Sequence, residues 1–306
     1  MTTLTMTVTE VLRYRGKIGQ WSWVLHRLAG LGTLLFLVLH VIDTSWVAFF
    51  PELYEEAIAI YQTPLFTIGE FALVACVVFH AFNGLRIAIF DFRPEWWRHQ
   101  ARAAQIVFLA TIVVLVPVFV LMAQHVVEFY TGRSFDLQLE LVFSRVVVPF
   151  GGGMILALLA GVLLSGLFGA VSGRAGLAGP LLTRRSRLEQ VLWGFMRVSG
   201  MLILPLAFGH LAIMHVIEGV FSINQGGTGL AASFVAARWA YLGWRIYDAA
   251  LLALALVHGF NGLRIVFNDY AHHPTVRRGL TWAVVVGCAA LIIIGALALI
   301  SGVPGM

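Results

Sequence analysis

HAFNGLRIAIFDF at residues 80–92 returns as HGFNGLRIVFNDY at residues 258–270. Each copy closes a long apolar run, so each sets a histidine within a membrane-spanning segment and a carboxylate, Asp91 or Asp269, where that segment ends. Hydrocarbon gives an imidazole nothing to bond with, so an intramembrane histidine marks a built polar contact or a functional site. The repeat reaches further back. WVLHRLAG at residues 23–30 aligns with WGFMRVSG at 193–200, and His40 with His210, all at an offset of 170. From His80 to His258 the offset is 178, so the second half carries eight extra residues, most simply in the Gly-rich stretch near residues 225–229. Glu70 and Asp248 also correspond, each ten residues before its histidine.

Composition fixes the class. Hydrophobic residues make up 60% and charged residues 11%, and the mean hydropathy is +0.89, values that exclude a soluble domain and point to a polytopic membrane protein. The first 20 residues carry Arg13, Arg15 and Lys17 without an apolar core, which reads as a cytoplasmic leader and not a cleaved signal. Two cysteines, Cys76 and Cys288, cannot hold an iron–sulfur cluster, so any such centre belongs to a partner.

Seven stretches are long and apolar enough to span: residues 18–50, 65–92, 104–130, 146–171, 188–221, 239–269 and 280–300. The fold expected is all-α and membrane-integral. It comprises two parallel three-helix repeats, residues 1–130 and 186–306, joined by a connector at 131–185 that contains the fourth span. Two three-helix units joined directly would point opposite ways, and the fourth span turns the chain back. Alternate connections are basic, at Arg13 to Lys17, Arg93 to Arg102, Arg184 to Arg187 and Arg277 to Arg278, which places the N-terminus in the cytoplasm and the C-terminus outside. Glu52, Glu55 and Glu56 are read as an acidic loop on the outer side.

His80 and His258 stand on equivalent helices, and two imidazoles are what a low-spin haem iron accepts, so the pair is read as the axial ligands of a haem b. Gly84 and Gly262 leave room beside them. His40 and His210 form a second symmetric pair, about 15 Å further from the basic side by helical rise, and are read as ligands of a second haem. The bland alternative gives them hydrogen bonds to Asp43, Glu218 or backbone. His215 is read as an outer polar residue, His125 as interfacial, and His99, His272 and His273 as solvated. Arg86 and Arg264, within the repeated NGLR, are read as propionate partners or anchors.

At the basic side the halves differ. Met196 stands where the first half has His26, and Phe92 where the second has Tyr270, whereas Arg27 and Arg197 correspond, as do Asp91 and Asp269. Only one combination joins His26 and Arg27 to Asp269 and Tyr270. Tyr270 can donate to a quinone carbonyl, with Arg27 holding charge nearby and Asp269 tuning it. Arg27 and Arg197 also fit as ordinary snorkelling or propionate-binding arginines.

These motifs together resemble the cytochrome b membrane anchors of succinate dehydrogenase and fumarate reductase, respiratory complex II. The pattern is LHR and Gly30 in the first helix, His80, Gly84 and Arg86 in the second, and His258, Gly262 and the terminal Asp269–Tyr270 in a later one. The resemblance covers nearly all of the chain outside residues 131–185, with the two anchor polypeptides fused through the extra helix. It implies that His80 and His258 bind the haem nearer the cytoplasm, and that His40 and His210 match the outer ligands of two-haem members. It implies a quinone pocket at Arg27, Asp269 and Tyr270, roofed by an iron–sulfur subunit, with succinate oxidised on a flavoprotein subunit and the whole set in a prokaryotic cytoplasmic membrane. Many members carry Ser four residues before the arginine. Here that position is Trp23, with Ser22 one step earlier, so both are placed at the pocket. Two haems favour menaquinone as the quinone. Lipid is the other partner, and no nucleic acid is expected. Whether the complexes form trimers stays open, as does the use of Glu70 and Asp248 in an outer proton route or quinone site against a plain ion pair of Asp248 with Arg245. Two rival readings remain at this point: a quinol-reactive haem anchor of another dehydrogenase, and a parallel-repeat secondary transporter without haem.

Overall fold

A computed structural model describes residues 16–61, 63–132, 187–215 and 238–302, all of them helical apart from short turns. Helix α1 is Ile18–Phe49, α2 is Pro51–Tyr61 and α3 is Pro64–Phe92. A 3-10 turn at Pro94–His99 leads into α4, Gln100–Thr131. After the undescribed segment come α5, Arg187–His215, α6, Leu242–Tyr270, and α7, Pro274–Ser301. Among the described residues six helices are long and apolar enough to cross a membrane, so the chain is an all-α, multi-pass membrane protein. Six of the seven expected spans are thus found. The fourth, together with the Gly-rich outer connection and Glu218, lies outside the described residues.

Sequence explains where these helices start and stop. Proline opens α3 and α7 at the first turn, where a missing N–H leaves no bond unmade. Gly132 ends α4 at φ 60°, a left-handed position that costs glycine little. One expectation is corrected: the acidic outer stretch at Glu52, Glu55 and Glu56 is not a loop but helix α2. Its Tyr54 packs against a cluster of Val47, Trp239, Ala298 and Leu299, and burial of one apolar stripe at the membrane edge outweighs three exposed carboxylates.

Helix α1 lies at the centre. One side meets α3 and α4 through Ala29, Phe79 and Val107, and another meets α6 and α7 through Leu34, Val41, Leu256, Phe260 and Leu291. Helix α5 packs on α6 and α3. Small residues permit these approaches. A Cβ on Gly259 would fall 2.8 Å from Leu34, and one on Gly295 would fall 2.7 Å from Leu252. Large apolar side chains such as Leu35, Ile106, Leu109, Val191 and Ile300 point outward, as a hydrocarbon surround requires.

Candidate haem and quinone site

Four helices, α1, α3, α5 and α6, each bring a histidine to the bundle axis. The His80 and His258 rings lie 6.4 Å apart between centroids with planes 89° apart. The His40 and His210 rings lie 6.1 Å apart at 81°. An iron taking one nitrogen from each ring at about 2 Å would set the centroids about 6 Å apart, counting roughly 1 Å from nitrogen to ring centre at each end. Both pairs have that spacing. A close polar pair at hydrogen-bond distance would bring the rings nearer.

The rings are also presented the right way round. His80 Nδ1 lies 3.0 Å from the His26 carbonyl oxygen. A carbonyl can only accept, so Nδ1 carries the proton and Nε2 keeps its lone pair for a metal. His258 Nδ1 is 2.8 Å from the Ser199 hydroxyl, and His210 Nδ1 faces the Asp248 carboxylate at 3.6 Å. Two glycines at equivalent positions back the inner rings. A Cβ on Gly30 would fall 2.7 Å from His80 Cε1, and one on Gly200 would fall 3.3 Å from His258 Cε1. Donor type and ring spacing at both levels, with the tautomer of His80, therefore fit a group that paired imidazoles would hold between them.

His26 stacks flat on His80, with centroids 4.0 Å apart and planes 4° apart. The structure thus sets His26, expected among the cofactor-binding residues, beside the inner histidine pair. A Cβ on Gly84 would meet the His26 ring at 3.4 Å, and one on Gly262 would meet Met196 at 3.9 Å, so the His26-to-Met196 exchange falls at one matched place in both halves.

At the basic end, two ion pairs cross between the halves. Arg27 of α1 pairs with Asp269 of α6, and Arg197 of α5 pairs with Asp91 of α3 at 2.7 Å. Each guanidinium also lies over a tryptophan one turn earlier, Trp23 at 4.3 Å and Trp193 at 4.0 Å. Tyr270 is half exposed next to Asp269, as is Trp23. Ser22 is placed differently. It is fully buried, donates to Asn83 Oδ1 at 2.7 Å and accepts from Arg86 Nη2 at 3.1 Å, so its hydroxyl is engaged inside the α1–α3 contact. Arg86 also donates to the Gln100 carbonyl at 3.3 Å. Arg264 instead holds the Glu189 carboxylate through two nitrogens, at 2.6 and 3.0 Å. Both NGLR arginines are thus tied to protein groups.

The outer level corrects a further expectation. Asp248 does not pair with Arg245, whose guanidinium donates to the Trp239 carbonyl. Its partner is Arg238, at 2.6 Å. Asp43 accepts from Tyr61, and burial together with that bond pushes the Tyr61 phenol up to about 12. His99, His272 and His273 are exposed as expected, while the side chains of His125 and His215 lie outside the described residues. Sequence reading missed Arg238, Ser199 and Asn83. Each carried a signal: Arg238 precedes an apolar run ten residues before a carboxylate, Ser199 stands within the matched WGFMRVSG, and Asn83 within the repeated motif itself.

Comparison with known proteins gives a family. The profile described as succinate dehydrogenase/fumarate reductase transmembrane subunit matches residues 5–119 and 178–296. The chain is also similar to the succinate dehydrogenase 2 membrane subunit SdhC of Mycobacterium tuberculosis, with 38% identity over 117 residues, a stretch that is 38% of this chain and 86% of that protein.

Proposed function

Since the chain belongs to the succinate dehydrogenase/fumarate reductase transmembrane subunit family, we propose that it is a haem b anchor carrying two haems and a quinone site at its basic end. The observation that carries this reading is the doubled histidine geometry, 6.4 Å and 6.1 Å between near-perpendicular rings at two depths. Haem supplies a one-electron carrier at each level. The protein supplies the rest: His80 and His258 hold the inner haem, His40 and His210 the outer one, and Gly30 and Gly200 let α1 and α5 close behind the inner rings. Arg86 and Arg264 lie on the inner side, where propionates can compete for their N–H groups.

Electrons reach the basic end from an iron–sulfur subunit docked there, and succinate is oxidised on a flavoprotein beyond it. Quinone takes up two electrons and two protons as it becomes quinol. Tyr270 donates a hydrogen bond to one carbonyl oxygen, and Arg27, pinned by Asp269 and Trp23, supplies positive charge where negative charge develops. Trp23 forms the exposed apolar wall, while Ser22 supports the site through Asn83 and Arg86. The second copy has Phe92 in place of the phenol, so the chemistry belongs to the Arg27 copy. Moving an electron between the two levels works with or against the membrane potential, worth about 2.3 kcal/mol per charge per 100 mV. That coupling suits a low-potential quinone, menaquinone. The N-terminus lies in the cytoplasm of a prokaryote, and the two halves descend from separate anchor polypeptides.

Haem per polypeptide tests the reading. A pyridine haemochrome assay is expected to return two haems per chain for the parent and one for His40→Ala. A colourless parent overturns the haem assignment, and an unchanged count in His40→Ala overturns the outer site.

A further inference from the structure

Resting on the two-haem reading above, we propose that Asp248 is the positioning residue of the outer histidine pair: its carboxylate, fixed by Arg238 and Trp239, takes the Nδ1 side of His210 and aims Nε2 at His40. Asp248 Oδ1 lies 2.6 Å from Arg238 Nη2 and 3.6 Å from His210 Nδ1. Asp248 Oδ2 accepts from the Trp239 indole at 3.1 Å. His210 Nδ1 is buried and has no hydrogen-bond partner among the described residues. An unsatisfied buried N–H is costly, and a closure of a few tenths of an ångström completes the bond to the carboxylate.

The carboxylate is held from behind. Arg238 is 2% exposed, and its guanidinium lies 5.0 Å from the Trp244 ring. The turn that carries Arg238 and Trp239 is pinned in turn by Arg245, which donates to the Trp239 carbonyl. A buried guanidinium without a counter-charge is strongly unfavourable, so its pairing with Arg238 holds the Asp248 carboxylate where it is. Tyr247, its neighbour, donates to the Leu206 carbonyl at 2.5 Å and ties this part of α6 to α5, the helix that carries His210.

The inner pair is built otherwise. His80 leans on a backbone carbonyl and His258 on a hydroxyl, both neutral. His210 instead has behind it a carboxylate paired with a guanidinium. A carboxylate on the far nitrogen orients an imidazole and raises its basicity as a ligand, which favours the more positive, oxidised iron. Asp248 therefore lowers the potential of the outer haem relative to the value a neutral partner would give.

Optical redox titration of the intact complex, with haem counted per chain, tests this. Asp248→Asn is expected to keep two haems, to raise the midpoint of one and to leave the other in place, and Asp248→Glu to return the shifted midpoint toward the parental value. Parental midpoints in Asp248→Asn overturn the proposal. If Asp248→Asn loses the outer haem through the stranded Arg238 charge, the double variant Arg238→Gln/Asp248→Asn removes that charge as well. A two-haem double variant with the raised midpoint supports the proposal. One with parental midpoints confines Asp248 to neutralising Arg238 and overturns it. A parent with a single haem overturns the two-haem reading and this proposal together, whereas two haems with unmoved midpoints overturn this proposal alone.

Discussion

Gly30 and Gly200 stand at matched positions yet leave different room. Adding a methyl to Gly30 puts carbon 2.7 Å from His80 Cε1 and 3.0 Å from Nδ1, inside contact distance, whereas at Gly200 the nearest ring atom is 3.3 Å away. His80 cannot yield easily, because His26 stacks on one face and the His26 carbonyl holds Nδ1. Gly30→Ala is therefore expected to lose the proposed inner haem while Gly200→Ala keeps most of it, as measured by haem per polypeptide. At this scale the histidines were legible because the chain writes them twice on apolar segments. Their Nδ1 partners were not. A backbone carbonyl leaves no mark in a sequence, and Ser199 is one hydroxyl among many until α5 and α6 are docked. Ser22 shows the opposite failure. Its place beside Trp23 suggested a pocket residue, but one step along a helix turns a side chain about 100°, and that turn carries it into the α1–α3 contact.

At the scale of helices, two ion pairs of the same composition have separate duties. Arg27–Asp269 adjoins the half-exposed Tyr270, and Arg197–Asp91 adjoins Phe92. Arg197→Ala leaves the Asp91 carboxylate, 16% exposed, without its partner, and is expected to cost about 1–3 kcal/mol with quinone reduction retained. Arg27→Ala is expected to abolish quinone reduction. Thermal unfolding in detergent and a quinone reductase assay on the assembled complex separate the two. Six of the expected spans and their order could be read from apolar length, since hydrocarbon forces every backbone bond to close within its own helix. Helix α2 could not. Three glutamates in eleven residues look like a solvated loop until the neighbouring Val47, Trp239 and Ala298 offer its Tyr54 an apolar seat. The Asp248–Arg238 pair was hidden for a related reason: Arg245 is nearer the carboxylate in helical register, and only the turn before α6 brings Arg238 back over it.

For the molecule as a whole, each histidine pair and each basic-end ion pair takes one member from residues 1–130 and the other from 186–306. The contacts between halves are thus as specific as those within them, and α1 alone touches α3, α4, α6 and α7. Residues 1–130 and 186–306 produced as two separate polypeptides in one cell are expected to assemble and to show the parental reduced-minus-oxidised spectrum. Two polypeptides that purify apart, without haem, overturn the idea that the halves were once separate anchors.

The crossed orientation of the rings, 89° at one level and 81° at the other, has a magnetic outcome. Were the proposed haem iron held between them, each imidazole would donate π electrons to a different metal d orbital, those two orbitals would stay close in energy, and the unpaired spin would keep much of its orbital motion. If both proposed haems are held this way, their ferric forms would give low-temperature paramagnetic resonance signals of extreme g anisotropy, with a lone steep feature at low field in place of the three-line rhombic pattern of parallel ligands.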